Sequence, residues 1–137
     1  MRQGFGLFGL IAALALLTVG LSACSGGDAV VTGTVMKLDR SALPPDAVVT
    51  VELADVSKAD APADVLSTQV IELGDKQLPV PFELSYDEGD IDDRFTYVVS
   101  AKIEAGGSLL YRNDTSIPVI TRDSPTENVE ILVVPVG

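Results

Sequence analysis

Short runs in which apolar and polar residues alternate cover most of the chain after residue 28. In residues 47–56, Val49, Val51 and Leu53 share one face, and residues 95–105 show the same alternation. A period of two residues is typical of a strand with one buried face, and no segment of this region keeps a helical period. The alternation therefore predicts a domain built from strands.

The number and spacing of these runs indicate the class of fold. Seven or eight short strands separated by turn residues are typical of a β-sandwich. We therefore predict an all-β fold, a single antiparallel β-sandwich of about seven or eight strands. The predicted strands are residues 29–38, 47–56, 65–73, 79–86, 95–105, 108–113, 118–120 and 129–136.

Prolines and glycines refine the placement of several strands. Pro79 and Pro81 cannot donate to a ladder, which favours an edge position for residues 79–86. Gly106 and Gly107 predict a tight hairpin, and Gly33 indicates a bulge or a close approach of another chain segment. Residues 129–136 are apolar on both faces, which predicts a buried central strand.

The N-terminus has the pattern of an export signal. Arg2 precedes an apolar run over residues 5–21, and the small residues Ser22 and Ala23 follow. A positive start, an apolar centre and a small-residue cleavage site are typical of a secretory signal peptide. A retained transmembrane helix is the alternative, but Lys or Arg does not follow this run as it usually follows a stop-transfer helix. We predict that residues 1–23 are cleaved.

Cys24 is the only cysteine of the chain. It ends the sequence Leu21-Ser22-Ala23-Cys24, which matches the lipobox of bacterial lipoproteins, where small residues let the signal peptidase reach the bond. The sequence predicts diacylglycerol and further acyl chains such as palmitate on Cys24, because stable anchoring needs more than one hydrophobic chain. Ser25 in place of Asp favours the outer membrane, with the protein facing the periplasm. Residues 24–29 form the lipidated cysteine with a flexible tether, and residues 30–137 form the domain.

The charge of the mature chain limits its partners. Removing 23 of the 137 residues leaves 114, with 8 basic and 20 acidic side chains and a formal net charge of −12. Phosphate groups repel such a surface, so nucleic acid and anionic lipid headgroups are not expected partners.

The residues offer little for catalysis. The chain has no histidine, so neither a Ser/His/Asp nor a Cys/His triad can form, and we expect no enzyme activity and no cofactor.

Five carboxylates in residues 87–93 make Asp87, Asp90, Asp92 and Asp93 candidate ligands for Ca²⁺. The alternative is a solvated acidic loop whose Gly and Asp residues favour a turn.

Three segments resemble the YbaY/YscW lipoprotein family. They are LPPDAVVTVELADVSKADAP at residues 43–62, LPVPFEL at 78–84, and YVVSAKI at 97–103 with LLY at 109–111. In the first segment, proline should rigidify the turn, and Asp55, Ser57 and Asp60 are placed to bond backbone groups of the connector. The residues of this motif that we single out are Leu43, Pro44, Pro45, Asp46, Asp55, Ser57 and Asp60.

The resemblance implies a non-enzymatic envelope lipoprotein with a β-sandwich fold. One branch of the family acts as a pilotin, a lipid-anchored chaperone that escorts a secretin to the outer membrane. We therefore predict a protein-binding or chaperone module whose partner is an envelope protein or a secretin, docked at an exposed sheet edge away from the prolines. The alternative is a small-ligand or Ca²⁺-binding module that uses residues 87–93.

Overall fold

Residues 28–137 are described by a computed structural model and contain eight β-strands and one short 3₁₀ turn. No helix in this part of the chain is long and apolar enough to cross a membrane. The 3₁₀ turn is Glu88–Asp90. The strands are β1 (Asp28–Lys37), β2 (Val48–Asp55), β3 (Asp64–Glu72), β4 (Val80–Asp87), β5 (Tyr97–Ala105), β6 (Ser108–Arg112), β7 (Ile117–Val119) and β8 (Val129–Pro135).

The strands form one sheet in the order β3-β2-β5-β6-β8-β1-β4, with β7 paired to β5. The sheet curves almost into a barrel, and the prediction of an all-β domain of seven or eight strands is confirmed. All pairs are antiparallel except β1 with β8, which run parallel. β1 begins at Asp28, so Asp28 and Ala29 belong to the sheet and not to the tether.

The alternating residues supply the core. Strand β2 buries Val49, Val51 and Leu53, and β5 buries Tyr97 and Val99, as the period of two predicts. Side chains of this kind contribute about 1.5–3 kcal/mol each when fully buried. The same alternation extends the core through β1, β4 and β8, with Val31, Val35, Phe82, Leu84, Val129, Ile131 and Val133.

Strand β8 is central, since it pairs with β6 on one side and β1 on the other. Only one of its faces is buried, however, and Leu132 on the opposite face is 38% exposed. The prediction of burial on both faces is therefore wrong. The sheet wraps around a single core, so the outer face of a central strand still meets solvent.

Gly33 lies where β1 meets the start of β8. A Cβ atom added to Gly33 would lie 1.8 Å from the carbonyl oxygen of Val129 and 2.8 Å from Cε2 of Phe82. The predicted close approach is confirmed. Gly106 and Gly107 form the β5–β6 hairpin with φ angles of 58° and 82°, the left-handed backbone that such two-residue turns require.

A buried lysine joins β1 to β6. The Lys37 side chain is 7% exposed, its ammonium donates to Asp39, and it lies 5.6 Å from the centre of the Tyr111 ring. The Tyr111 hydroxyl also donates to Asp39, and the Ser41 hydroxyl donates to the same carboxylate. The bonds from Ser41, Lys37 and Tyr111 hold the pKa of Asp39 well below its usual range.

Candidate partner-binding groove

The sheet has an open seam between its two end strands, β3 and β4. Each of them pairs with one neighbour only, β3 with β2 and β4 with β1, so each leaves one edge unpaired with any strand of residues 28–137. The predicted edge position of the proline-bearing strand is confirmed for β4. The opposite edge of the sheet is β3, and it faces β4 across the seam instead of lying far from it.

A single side chain bridges the seam at its closed end. The backbone N–H of Glu83 in β4 donates to Oε1 of Gln69 in β3 at 2.8 Å. Backbone groups of a strand point alternately to its two sides, so Pro81, Glu83, Ser85 and Asp87 all turn toward the seam. Pro81 therefore costs no ladder bond, because its missing N–H would not reach β1.

The seam opens into a groove at the other end of β3 and β4. Two adjoining depressions of about 380 and 470 Å³ share Leu66, Tyr86 and Asp87. A β-bulge helps to open the groove, because the β2–β3 register shifts between Leu53 and Ala54, opposite Leu66. The full lining is Asp28, Ala29, Val30, Asp55, Asp64, Val65, Leu66, Ser85, Tyr86, Asp87, Asp90, Phe95 and Tyr97.

The floor of the groove is apolar. Leu66, Tyr86 and Phe95 pack against the core but are only half-buried. The alternation predicts Tyr86 and Phe95 for the inner face, and both rings do point inward. Because no strand covers them at the open end of the seam, one side of each ring stays exposed. Burial raises the pKa of Tyr86, and the nearby Glu88 carboxylate raises it further.

The rim of the groove is acidic. Two rim carboxylates also support the backbone, since Asp55 accepts from the N–H of Ser57 at 2.9 Å and Asp87 accepts from the N–H of Gly89 at 2.8 Å. Asp64 and Asp90 are exposed, and no lining residue of either depression is Lys or Arg. The groove therefore combines an apolar floor with a rim of one charge sign.

A strained loop holds the segment that carries Phe95. The buried Thr121 donates its hydroxyl to the carbonyl of Phe95 at 2.7 Å. Thr121 is placed by a γ-turn, in which its N–H donates to the carbonyl of Val119 at 2.8 Å while Ile120 has a φ of 74°. A β-branched residue in this region of φ is strained, so the surrounding contacts must stabilise the turn.

The acidic segment 87–93 does not assemble a metal site. The Asp92 carboxylate is held by the Arg94 guanidinium, with Nη2 to Oδ2 at 2.7 Å, and this contact lowers the pKa of Asp92 to about 2. Asp87 accepts the bond from Gly89 described above. Among residues 28–137, no three His, Cys, Asp or Glu side chains come together as a metal ion would require. Asp90 and Asp93 remain exposed, and Asp90 lies on the groove rim.

Several residues of the family motif have structural roles in the fold. Leu43 is buried, and its backbone N–H and carbonyl are both bonded by the side chain of Gln77. The predicted connector bond forms for Asp55, whose carboxylate accepts from the N–H of Ser57. The Ser57 hydroxyl instead accepts from the N–H of Thr96 at 2.8 Å, outside the connector. Within the described part of the chain, Asp60 makes no such bond.

The turn that precedes β2 agrees with the motif. The N–H of Ala47 donates to the carbonyl of Pro44 at 3.0 Å, which closes the turn over Pro45 and Asp46. These residues therefore shape the fold. The predicted lipidation residue Cys24 and the residues Leu21, Ser22 and Ala23 lie outside the described residues.

A separate depression of about 280 Å³ lies on the outer face of the sheet. Glu52 of β2, Lys102 of β5 and Arg112 of β6 line it together with Thr50, Ser100, Ala101 and Asn113. Its charges are mixed, and Asn113 occupies the break beside β5 by bonding both backbone groups of Ala101. Neither end strand of the sheet lines this depression, so the seam groove is the stronger candidate for binding a partner.

Sequence reasoning missed most of the groove. Asp64, Val65 and Leu66 were part of a predicted strand or its connector, and only the topology shows that they face Tyr86 of β4. The one signal in the sequence was the pair Pro79 and Pro81, which predicted an edge strand.

Comparison with known proteins agrees with this architecture. Residues 27–131 match the family of type III secretion system lipoprotein chaperones (YscW). The chain belongs to this family, and the resemblance noted in its sequence is confirmed.

Two relatives illustrate the match. The chain is 41% identical over 92 residues to the uncharacterized lipoprotein YbaY of Escherichia coli (strain K12), which covers 67% of this chain and 48% of that protein. The chain thus spans about half the length of that relative. It is also similar to the solved structure of an alternative pilotin from the type II secretion system of Vibrio cholerae, with 40% identity, a TM-score of 0.72, and coverage of 78% of this chain and 97% of that one.

Proposed function

We propose that this protein is a lipid-anchored, pilotin-like chaperone at the outer membrane, which faces the periplasm and binds an envelope protein of the secretin class. The similarity to the Vibrio cholerae pilotin carries the proposal, because it extends over 97% of that chain at 40% identity. In this proposal the protein catalyses no reaction. Its lipid anchors the protein at the outer membrane, and its β-domain binds the partner.

The open seam supports a binding role. A curved sheet with two unpaired edges and an apolar floor offers backbone bonds and side-chain contacts at the same place. The strands around the floor are fixed by the core, so the groove exists before a partner arrives. A preformed surface lowers the entropy cost of binding.

The charge of the protein supports a protein partner. The chain carries a formal net charge of −11, which disfavours contact with nucleic acid or anionic lipid headgroups. A partner segment that carries Lys or Arg would instead be attracted, and this attraction speeds the encounter.

The proposal can be tested by affinity capture from detergent-solubilised envelopes. The native protein should recover one secretin-class protein, and this protein should reach the outer membrane less efficiently when the lipoprotein gene is deleted. A Cys24→Ala variant should still bind the partner but should fail to restore its localisation. Recovery of no partner by a folded native protein would contradict the proposal.

A further inference from the structure

We infer that the seam groove binds an extended, positively charged segment of the partner, which adds as a strand beside β4 and sets its apolar side chains against Leu66 and Tyr86. This inference rests on the proposed function and names the contact surface. It follows from three features of the groove: a free backbone edge, an apolar floor and a rim of one charge.

The free backbone edge favours an extended occupant. Glu83 already donates its seam-side N–H to Gln69, and by alternation Ser85 and Asp87 direct their backbone groups to the same side. No proline follows Pro81 in β4, so the open end of this edge keeps its donors. An added strand can satisfy these groups, as it does when a peptide extends a sheet.

The floor fits the side chains of such a strand. Successive side chains of a strand point to opposite faces, so every second residue of the occupant would contact Leu66, Tyr86 and Phe95. Val65 is 52% exposed beside them and adds apolar area that an occupant would cover. The alternate side chains of the occupant would point outward, toward the rim.

The rim selects the charge of the occupant. Asp28, Asp55, Asp64, Asp87 and Asp90 line the two depressions, and neither depression has a basic lining residue. Arg94 lies four residues after the rim residue Asp90, but its guanidinium is already bound to the Asp92 carboxylate. A second copy of this chain is a poor occupant, because its own β4 edge carries Glu83 and Asp87 and would meet like charges. An anionic lipid headgroup is repelled in the same way.

A peptide-binding experiment tests the inference. The probe is a short labelled peptide of alternating lysine and valine, compared with one of alternating glutamate and valine, and the protein is the mature chain with Cys24→Ala. We expect the lysine peptide to shift the amide NMR signals of Val65, Ser85 and Asp87. The glutamate peptide should leave these signals unchanged.

Charge reversal at the rim tests whether its carboxylates attract the peptide, and the same reversal away from the groove is the control. Asp64 and Asp90 support no backbone bond, so Asp64→Lys with Asp90→Lys should weaken binding of the lysine peptide about tenfold or more at low salt. Asp75→Lys with Glu130→Lys makes the same change in net charge away from the groove and should weaken binding less than about threefold. Equal loss in the two variants would overturn the inference.

Four other outcomes would test the groove as the binding site or separate it from the chaperone role. Signal shifts centred on Lys102 and Arg112 would place the peptide on the outer depression and overturn the inference, as would shifts that grow with protein concentration alone and so report a second copy. If the rim variant still captures the secretin-class partner at the native level, the groove is not the contact surface and the chaperone role stands. If the groove binds the peptide but no partner is captured, the proposed function fails and the groove stands.

Discussion

At the residue scale, Gly33 carries the sharpest constraint in the fold. Its missing side chain lets β1 approach Val129 of β8, and an added Cβ would overlap the Val129 carbonyl oxygen. We expect Gly33→Ala to lower the free energy of unfolding by about 3 kcal/mol or more, since overpacking against backbone cannot be relieved by a rotamer change. Urea unfolding followed by circular dichroism measures this loss.

A second glycine gives the matched control for that experiment. A Cβ at Gly89 would meet only the flexible Asp87 carboxylate, at 3.2 Å. Gly89→Ala should therefore change the free energy of unfolding by less than about 1 kcal/mol. If Gly33→Ala were as stable as Gly89→Ala, the close approach of β1 and β8 would be in error.

The ion pair of Asp92 and Arg94 predicts a local pH dependence. The Arg94 guanidinium lowers the pKa of Asp92 from 3.8 to about 2. A lowered pKa in the folded state contributes stability above the unfolded pKa, and this contribution is lost as the pH falls from about 4 to about 2. Carbon-13 NMR titration should show the low pKa of Asp92, and Arg94→Gln should raise it toward 3.8. An unchanged pKa in that variant would contradict the pairing.

At the element scale, Gln69 fixes the closed end of the seam. Gln69→Ala leaves the Glu83 N–H without its partner, and we expect a loss of about 1 kcal/mol in the free energy of unfolding. Amide exchange in β3 and β4 should also accelerate, since few other bonds join these strands. Thr68→Ala on the outer face of β3 is the control, and equal exchange in the two variants would show that the bridge does not hold the seam.

The strands were largely predictable from the sequence, and the seam was not. Alternation in residues 47–56 predicts β2 within one residue at each end, because a half-buried strand needs its apolar side chains on one face. Pairing order depends on contacts between residues far apart in the chain. Nothing in the local sequence places Leu66 of β3 beside Tyr86 of β4, so the groove could be found only from the fold.

The sequence predicts an antiparallel sheet and does not indicate the parallel pair of β1 and β8, for a related reason. Alternation shows which face of a strand is buried but not the direction of its neighbour. The apolar pattern of residues 129–136 correctly indicates a central strand, and Leu132 is nevertheless exposed. In a single curved sheet, apolar residues on the outer face are tolerated singly and need not be buried.

At the scale of the whole molecule, the groove lies close to the start of the domain. Asp28 and Ala29 begin β1 and line the larger of the two groove depressions. Four peptide links join Cys24 to Asp28, and an extended chain of that length reaches at most about 14 Å. If Cys24 carries the lipid, as we propose, the groove is held near the membrane surface, where a partner bound for that membrane would be delivered.

The lipid anchor itself gives the last prediction. Intact mass spectrometry of the membrane-extracted protein should show diacylglycerol on Cys24 and no residue before it. Cys24→Ala should abolish the lipid, because the variant has no thiol to accept the diacylglycerol. Ser25→Asp should keep the lipid but move the protein to the inner-membrane fraction, since Asp after the lipidated cysteine retains such proteins there. Ser25→Thr is the control and should stay in the outer membrane. A purified native protein that still begins at Met1 would contradict the anchor, and with it the position of the groove at the membrane.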